Sequence, residues 1–175
     1  MKKRVMPVFC LLMAATGVFF SLSCGQPRPP ADYNNILVTR VFDGDTIEVQ
    51  TGEKVRLIGI DCPEAHESDK LFRQAERRHK DIRVILAMGR RAREFTSGLV
   101  YYKHVRLVFD EEHYDKYGRL LAYVYLEDGT FVNAEIIKSG YAYLLSIPPN
   151  DRFADTFRDL YRQARREQRG LWKGE

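Results

Sequence analysis

The chain has 175 residues, enough for one compact domain with a sizeable core and a short terminal segment, and too few for two domains. Its 28 basic residues exceed 24 acidic ones, a formal net charge of +4, but Lys2, Lys3 and Arg4 account for most of the excess. Without those three the remainder carries +1, which excludes a protein basic in bulk and leaves only local fields to attract a polyanion.

The three cations precede an apolar run from Val5 to Leu22 that ends in small residues, the anatomy of an export signal over 1–23. A retained membrane anchor is the alternative, because the run approaches the roughly 18 residues of a spanning helix. The stretch Ser21-Leu22-Ser23-Cys24 resembles a bacterial lipoprotein signal with Cys24 as the lipidated residue. Secretion and lipid attachment at the cell envelope therefore both stand as expectations. A tether over 24–35 follows, in which Gly25 to Pro30 has nothing apolar to bury. Cys10 and Cys24 fall within or beside the signal, so the folded part, expected over 36–173, keeps Cys62 and no intrachain disulfide.

From Ile36 to Ile60 apolar residues alternate, with turn signals at Asp43-Gly44 and Thr51-Gly52, which predicts a three-stranded meander. A polar loop over 61–69 ends it. Over 70–100 the apolar period becomes helical (Leu71, Ala75, Ile82, Ile85, Leu86, Ala92, Phe95, Leu99), predicting two helices or one interrupted near Gly89. The first part is strongly basic: nine Lys and Arg fall within 70–93, among them Arg73, Lys80 and Arg91, against Glu76 and Asp81. That segment is either a ridge facing substrate or a solvated helix face. Strands are predicted over 104–109 and 120–126, joined by a loop holding Asp115 to Arg119. Asn133 is placed to cap a short helix over 134–139 that Gly140 stops. After Tyr141 to Ile147 and Pro148-Pro149, a helix over 151–169 carries Phe153, Phe157, Leu160, Tyr161 and Ala164 as a stripe to pack on a barrel, with Leu171 and Trp172 closing the end. These elements predict an α+β fold: a five-stranded OB-fold β-barrel with an inserted helical segment and a C-terminal helix.

Three polar clusters fall where strands end: Asp43-Gly44-Asp45-Thr46, Arg56 with Asp61-Cys62-Pro63-Glu64, and Asp115 to Arg119. Asp45 and Asp61 are hard oxygen ligands of the kind calcium or magnesium takes. Arg56 and Arg119 offer planar forks for phosphate oxygens in a transition state of growing charge. Glu64 would position and deprotonate the attacking water. Taken singly each cluster has an ordinary alternative: a hairpin turn at Asp43 to Thr46, a helix start at Asp61 to Glu64, a loop without function at Asp115 to Arg119. The four histidines (His66, His79, His104, His113) are scattered surface or loop residues, and His66 alone falls near the expected catalytic site.

Together, Val-Phe-Asp-Gly-Asp-Thr, Val-Arg-Leu-Ile-Gly-Ile-Asp-Cys-Pro-Glu and Asp-Lys-Tyr-Gly-Arg resemble the staphylococcal nuclease family, from about Leu37 to Trp172. The resemblance implies a calcium ion held by the carboxylates of Asp45 and Asp61 and the backbone carbonyl of Cys62. It implies Glu64 as general base, Arg56 and Arg119 as phosphate-binding catalytic residues, and Lys116 and Tyr117 near the bound nucleotide. It further implies DNA or RNA as substrate, cut to leave 3′-phosphate and 5′-hydroxyl ends; a monomer is the default expectation for the assembly. Cys62 replaces a threonine familiar in the family, which keeps the carbonyl and adds an expected sensitivity to oxidation. The family's nucleotide-stacking tyrosines after the last strand have no clear match in Ser146 to Pro149. The competing reading is a catalytically inactive nucleic-acid- or protein-binding module at the cell surface. Retention of Asp45, Arg56, Asp61, Glu64 and Arg119 together argues against it.

Overall fold

The structure, a computed structural model, describes residues 32–79 and 81–173. The expected export signal, Cys24 and the first part of the tether lie outside them. Alternation of apolar residues builds β1 (Ile36–Asp43), β2 (Thr46–Val49) and β3 (Lys54–Leu57), whose inward side chains Val38, Ile47, Val49 and Val55 are fully buried. With β5 (His104–Val108) and β6 (Leu120–Leu126) they close a barrel in the order β1-β2-β3-β6-β5, in which only the β3–β6 pairing is parallel. This is the α+β OB-type architecture expected. Tyr33, inside the stretch expected as tether, packs against the core, with its ring edge-on to Phe109 and its hydroxyl donating to Glu53 at 2.9 Å.

The third strand of the predicted meander does not run through to Ile60. It breaks at Ile58, and β4 (Gly59–Asp61) pairs instead with β7 (Tyr143–Leu145) in a separate two-stranded sheet. Gly59 makes the break possible: its φ is +85°, and a Cβ there would lie 2.3 Å from the Phe157 ring. Asn133 secures the break from the other side. Its side chain accepts from Val124 N at 2.9 Å and donates to the Ile58 carbonyl at 2.9 Å. Asn133 is therefore no helix cap, contrary to the sequence reading; the short helix α3 (Val132–Lys138) starts earlier, and backbone groups stranded at the β3–β4 kink claim the amide.

The helical insertion is two helices, α1 (Asp69–Arg78) and α2 (Ile82–Val100), but the break is not at Gly89. It lies at His79, which adopts a left-handed conformation, and at Asp81, whose carboxylate accepts from Arg83 N at 2.7 Å to cap α2. Gly89 is buried inside α2 against the Glu64–Ala65 peptide. Asp61 to Glu64 does not start a helix either; α1 begins after Ser68, whose hydroxyl accepts from Leu71 N at 3.1 Å. The C-terminal helix α4 (Ala154–Arg166) is shorter than predicted and buries Phe157 and Ala164 on the barrel, beneath a cluster formed with Tyr123, Phe131 and Phe153. Leu171 and Trp172 close that end in a 3-10 turn. Among the described residues no helix is long and apolar enough to cross a membrane.

Candidate active site

The β1–β2 turn, the β3–β4 kink and the loop after β4 bring Asp45, Arg56, Asp61 and Cys62 together, though they are up to 17 positions apart in sequence. Thr96 on α2 fixes the turn by donating to the Gly44 carbonyl at 2.8 Å, and Arg93 Nε donates to the Val41 carbonyl at 3.0 Å. Asp45 is 2% exposed. Its Oδ2 accepts from the Cys62 N–H at 2.6 Å and from Arg56 at 2.7 Å, and its Oδ1 accepts from the Thr46 hydroxyl at 2.9 Å. Arg56 reaches on with its other terminal nitrogen to Asp61 Oδ1 at 3.4 Å. Burial works against the Arg56 charge, but Asp45 and then Asp61 outweigh it and hold its pKa above the ordinary arginine value. The Asp43 carboxylate accepts from Ala65 N at 3.3 Å and lies 3.6 Å from the exposed His66 ring.

Helix α1 completes the far side of this loop through a residue that sequence reasoning missed. Gln74 is 6% exposed; its Oε1 accepts from the Glu64 N–H at 3.1 Å and its amide donates to the Cys62 carbonyl at 3.3 Å. Ser68 donates to the Glu64 carboxylate at 3.3 Å. Ser68 carries a sequence signal, as a hydroxyl residue just before an amphipathic helix. Gln74 carries none, because only packing shows which helix position faces the loop. The Cys62 thiol is fully buried, which removes the expected sensitivity to oxidation, since that chemistry needs an accessible thiolate.

The third cluster is a tight turn after residue 113. Asp115 accepts from Tyr117 N at 2.9 Å, from Arg119 N at 3.0 Å and from Arg119 Nε at 2.7 Å. Burial pushes the Asp115 carboxyl up, but those Arg119 and Tyr117 donors outweigh it and leave the pKa below the usual carboxylate value. Lys116 and Arg119 both lie over the Tyr117 ring, at 5.1 and 5.5 Å. Asn150 pins the approach to this turn, accepting from Glu112 N at 2.8 Å and donating to the Glu112 carbonyl at 2.7 Å.

A cleft of about 680 Å³ separates these parts. Arg56, Asp61, Lys116, Tyr117 and Arg119 line it; Asp45, which Arg56 holds at 2.7 Å, is buried next to that lining. Tyr114, Leu145 and Ile147, all exposed, supply an apolar lining where the sequence offered no stacking tyrosines. Among the described residues no three His, Cys, Asp or Glu side chains cluster as a metal site. Two carboxylates gathered on one guanidinium make an all-oxygen donor set, which fits a hard divalent cation completed by water and does not fit zinc.

A closed OB barrel with a cleft lined by two arginine forks, each held by carboxylates, is a fold and site of the phosphodiesterase class. A family model described as staphylococcal nuclease homologue matches residues 54–174. Similar proteins include a thermonuclease of Staphylococcus intermedius, 36% identical over an alignment of 181 positions, gaps included, that covers 99% of each chain. A thermonuclease of Staphylococcus hyicus is 31% identical over 138 residues, 77% of this chain and 73% of its own. The endonuclease YhcR of Bacillus subtilis is 32% identical over 157 residues, 84% of this chain but 12% of that larger protein. The chain belongs to the staphylococcal nuclease family, and it is a hydrolytic enzyme of phosphodiester bonds.

Proposed function

We propose that the protein is a calcium-dependent endonuclease that hydrolyses DNA or RNA to products with 3′-phosphate and 5′-hydroxyl ends. The observation that carries this reading is the Arg56 guanidinium, suspended between Asp45 and Asp61 in the wall of a cleft that also holds Arg119. In this reading the Asp45 and Asp61 carboxylates and the Cys62 carbonyl hold the ion. Bound there, calcium would supply positive charge beside a phosphoryl oxygen. Arg56 and Arg119 take the remaining phosphoryl oxygens and stabilise the charge that grows as water adds to phosphorus. Glu64 accepts the proton of that water, the bond from phosphorus to the 5′ oxygen breaks, and the leaving oxygen takes a proton from solvent. Lys116 and Tyr117 contact the nucleotide held in the cleft. The basic start and apolar run of the first 23 residues, followed by Cys24, support export to the cell envelope or beyond it.

The test is cleavage of single-stranded DNA by the purified protein with calcium and with a chelator, alongside Asp45→Ala and Glu64→Gln. Cutting should require calcium and vanish in Asp45→Ala. Glu64→Gln should keep calcium binding near normal and lose roughly two to four orders of magnitude in rate. Binding without cutting under both conditions would return the protein to the binding-module reading.

A further inference from the structure

Helix α1 brings a third guanidinium to the cleft. Arg73 shares its lining with Arg56, Lys116 and Arg119, whereas Arg77, Arg83, Arg90, Arg91 and Arg93 from the same basic segment take no part in it. The direction of Arg73 is fixed by its neighbours. Leu71 is fully buried and Gln74 is bonded to both Cys62 and Glu64, so α1 cannot turn without breaking contacts to the active-site loop. Arg73 itself is exposed and forms no ion pair with any described residue. In this it differs from the other two guanidiniums of the cleft, which are held by Asp45 with Asp61 and by Asp115.

The charge balance gives that difference a meaning. Among the described lining residues four cations, Arg56, Arg73, Lys116 and Arg119, meet three carboxylates, Asp61, Glu112 and Asp115, and of those cations Arg56 and Arg119 are already held by carboxylates while Arg73 is not. An arginine that lines this cleft with no ion pair among the described residues meets the requirements for a backbone phosphate: a planar fork, a full charge and no described carboxylate to displace. We propose that Arg73 is a substrate-binding residue that takes a phosphate other than the one being cut, extending the enzyme's footprint along the polynucleotide strand. This rests on the nuclease reading, in which Arg56 and Arg119 serve the scissile phosphate.

The experiment compares a dinucleoside monophosphate, whose single phosphate is the scissile one, with a single-stranded DNA oligonucleotide of about a dozen residues. Wild type, Arg73→Ala, Arg73→Lys and Arg90→Ala are measured on both with calcium, over a range of salt. On the oligonucleotide Arg73→Ala should lose roughly fivefold in kcat/KM at low salt, through KM rather than kcat. The slope of log kcat/KM against log salt should become shallower by about 0.7, the contribution of one phosphate contact on a single strand. On the dinucleoside monophosphate it should match wild type. Arg73→Lys should recover most of the loss, and Arg90→Ala should show none. Equal losses on the two substrates, or no loss on the longer one, would overturn the proposal. A wild type that cuts neither substrate overturns the nuclease reading itself, which keeps the two failures apart.

Discussion

Two Gly→Ala substitutions in one helix should have opposite signs. An exposed helical glycine costs about 1 kcal/mol relative to alanine, so Gly98, where a new Cβ would meet nothing within 4 Å, should become more stable by roughly 0.5–1 kcal/mol as alanine. At Gly89 the same Cβ would sit 2.1 Å from the Glu64 carbonyl oxygen, 2.3 Å from its carbon and 2.6 Å from Ala65 N. These are backbone atoms and cannot rotate away, so α2 and the loop must separate by on the order of 1 Å to restore ordinary contact. Overpacking of this kind costs about 1–3 kcal/mol, which outweighs the propensity gain. The loop that moves carries Cys62 and Glu64, and a displacement near 1 Å in a reacting constellation lowers rates by about a hundredfold. Urea unfolding and cleavage kinetics of both variants would measure the two effects together. A Gly89→Ala protein as stable and as active as Gly98→Ala would refute the claim that α2 fixes the active-site loop through this contact.

Replacing Arg56 by methionine removes the guanidinium 2.7 Å from the buried Asp45 carboxylate, and breaking a buried ion pair in this way should cost about 3–5 kcal/mol in calcium-free buffer. Added calcium should restore part of that, because a cation bound only by the folded state stabilises it; urea titrations with and without calcium check both halves. Burial, then the hydrogen bond to Glu53, raises the Tyr33 pKa to about 12. Its contribution is complete below the ordinary tyrosine value near 10 and should be lost as pH rises from there to about 12. Thermal melts of wild type and Tyr33→Phe across that range should show a steeper alkaline decline in wild type.

The alternation over 36–60, the Asp-Gly and Thr-Gly turns, the helical period over 70–100 and the ordered motifs around Asp45, Asp61 and Arg119 are local or short-range signals. They were enough to define the barrel, its inserted helices and the family. A turn or a buried strand face is dictated by residues a few positions apart, so one sequence carries that information in full. The break of the third strand was not legible, because it depends on Phe157 and Asn133, far along the chain, meeting Gly59 and Ile58. Gly89 read as a helix breaker for the same reason: its missing Cβ serves a contact with residue 64, not a bend in its own helix. The role of Gln74, the burial of the Cys62 thiol and the separation of Arg73 from the rest of the basic segment were likewise decided only in three dimensions. Which side chains of a charged helix face a cleft depends on the rotation of that helix, and packing against distant residues sets it.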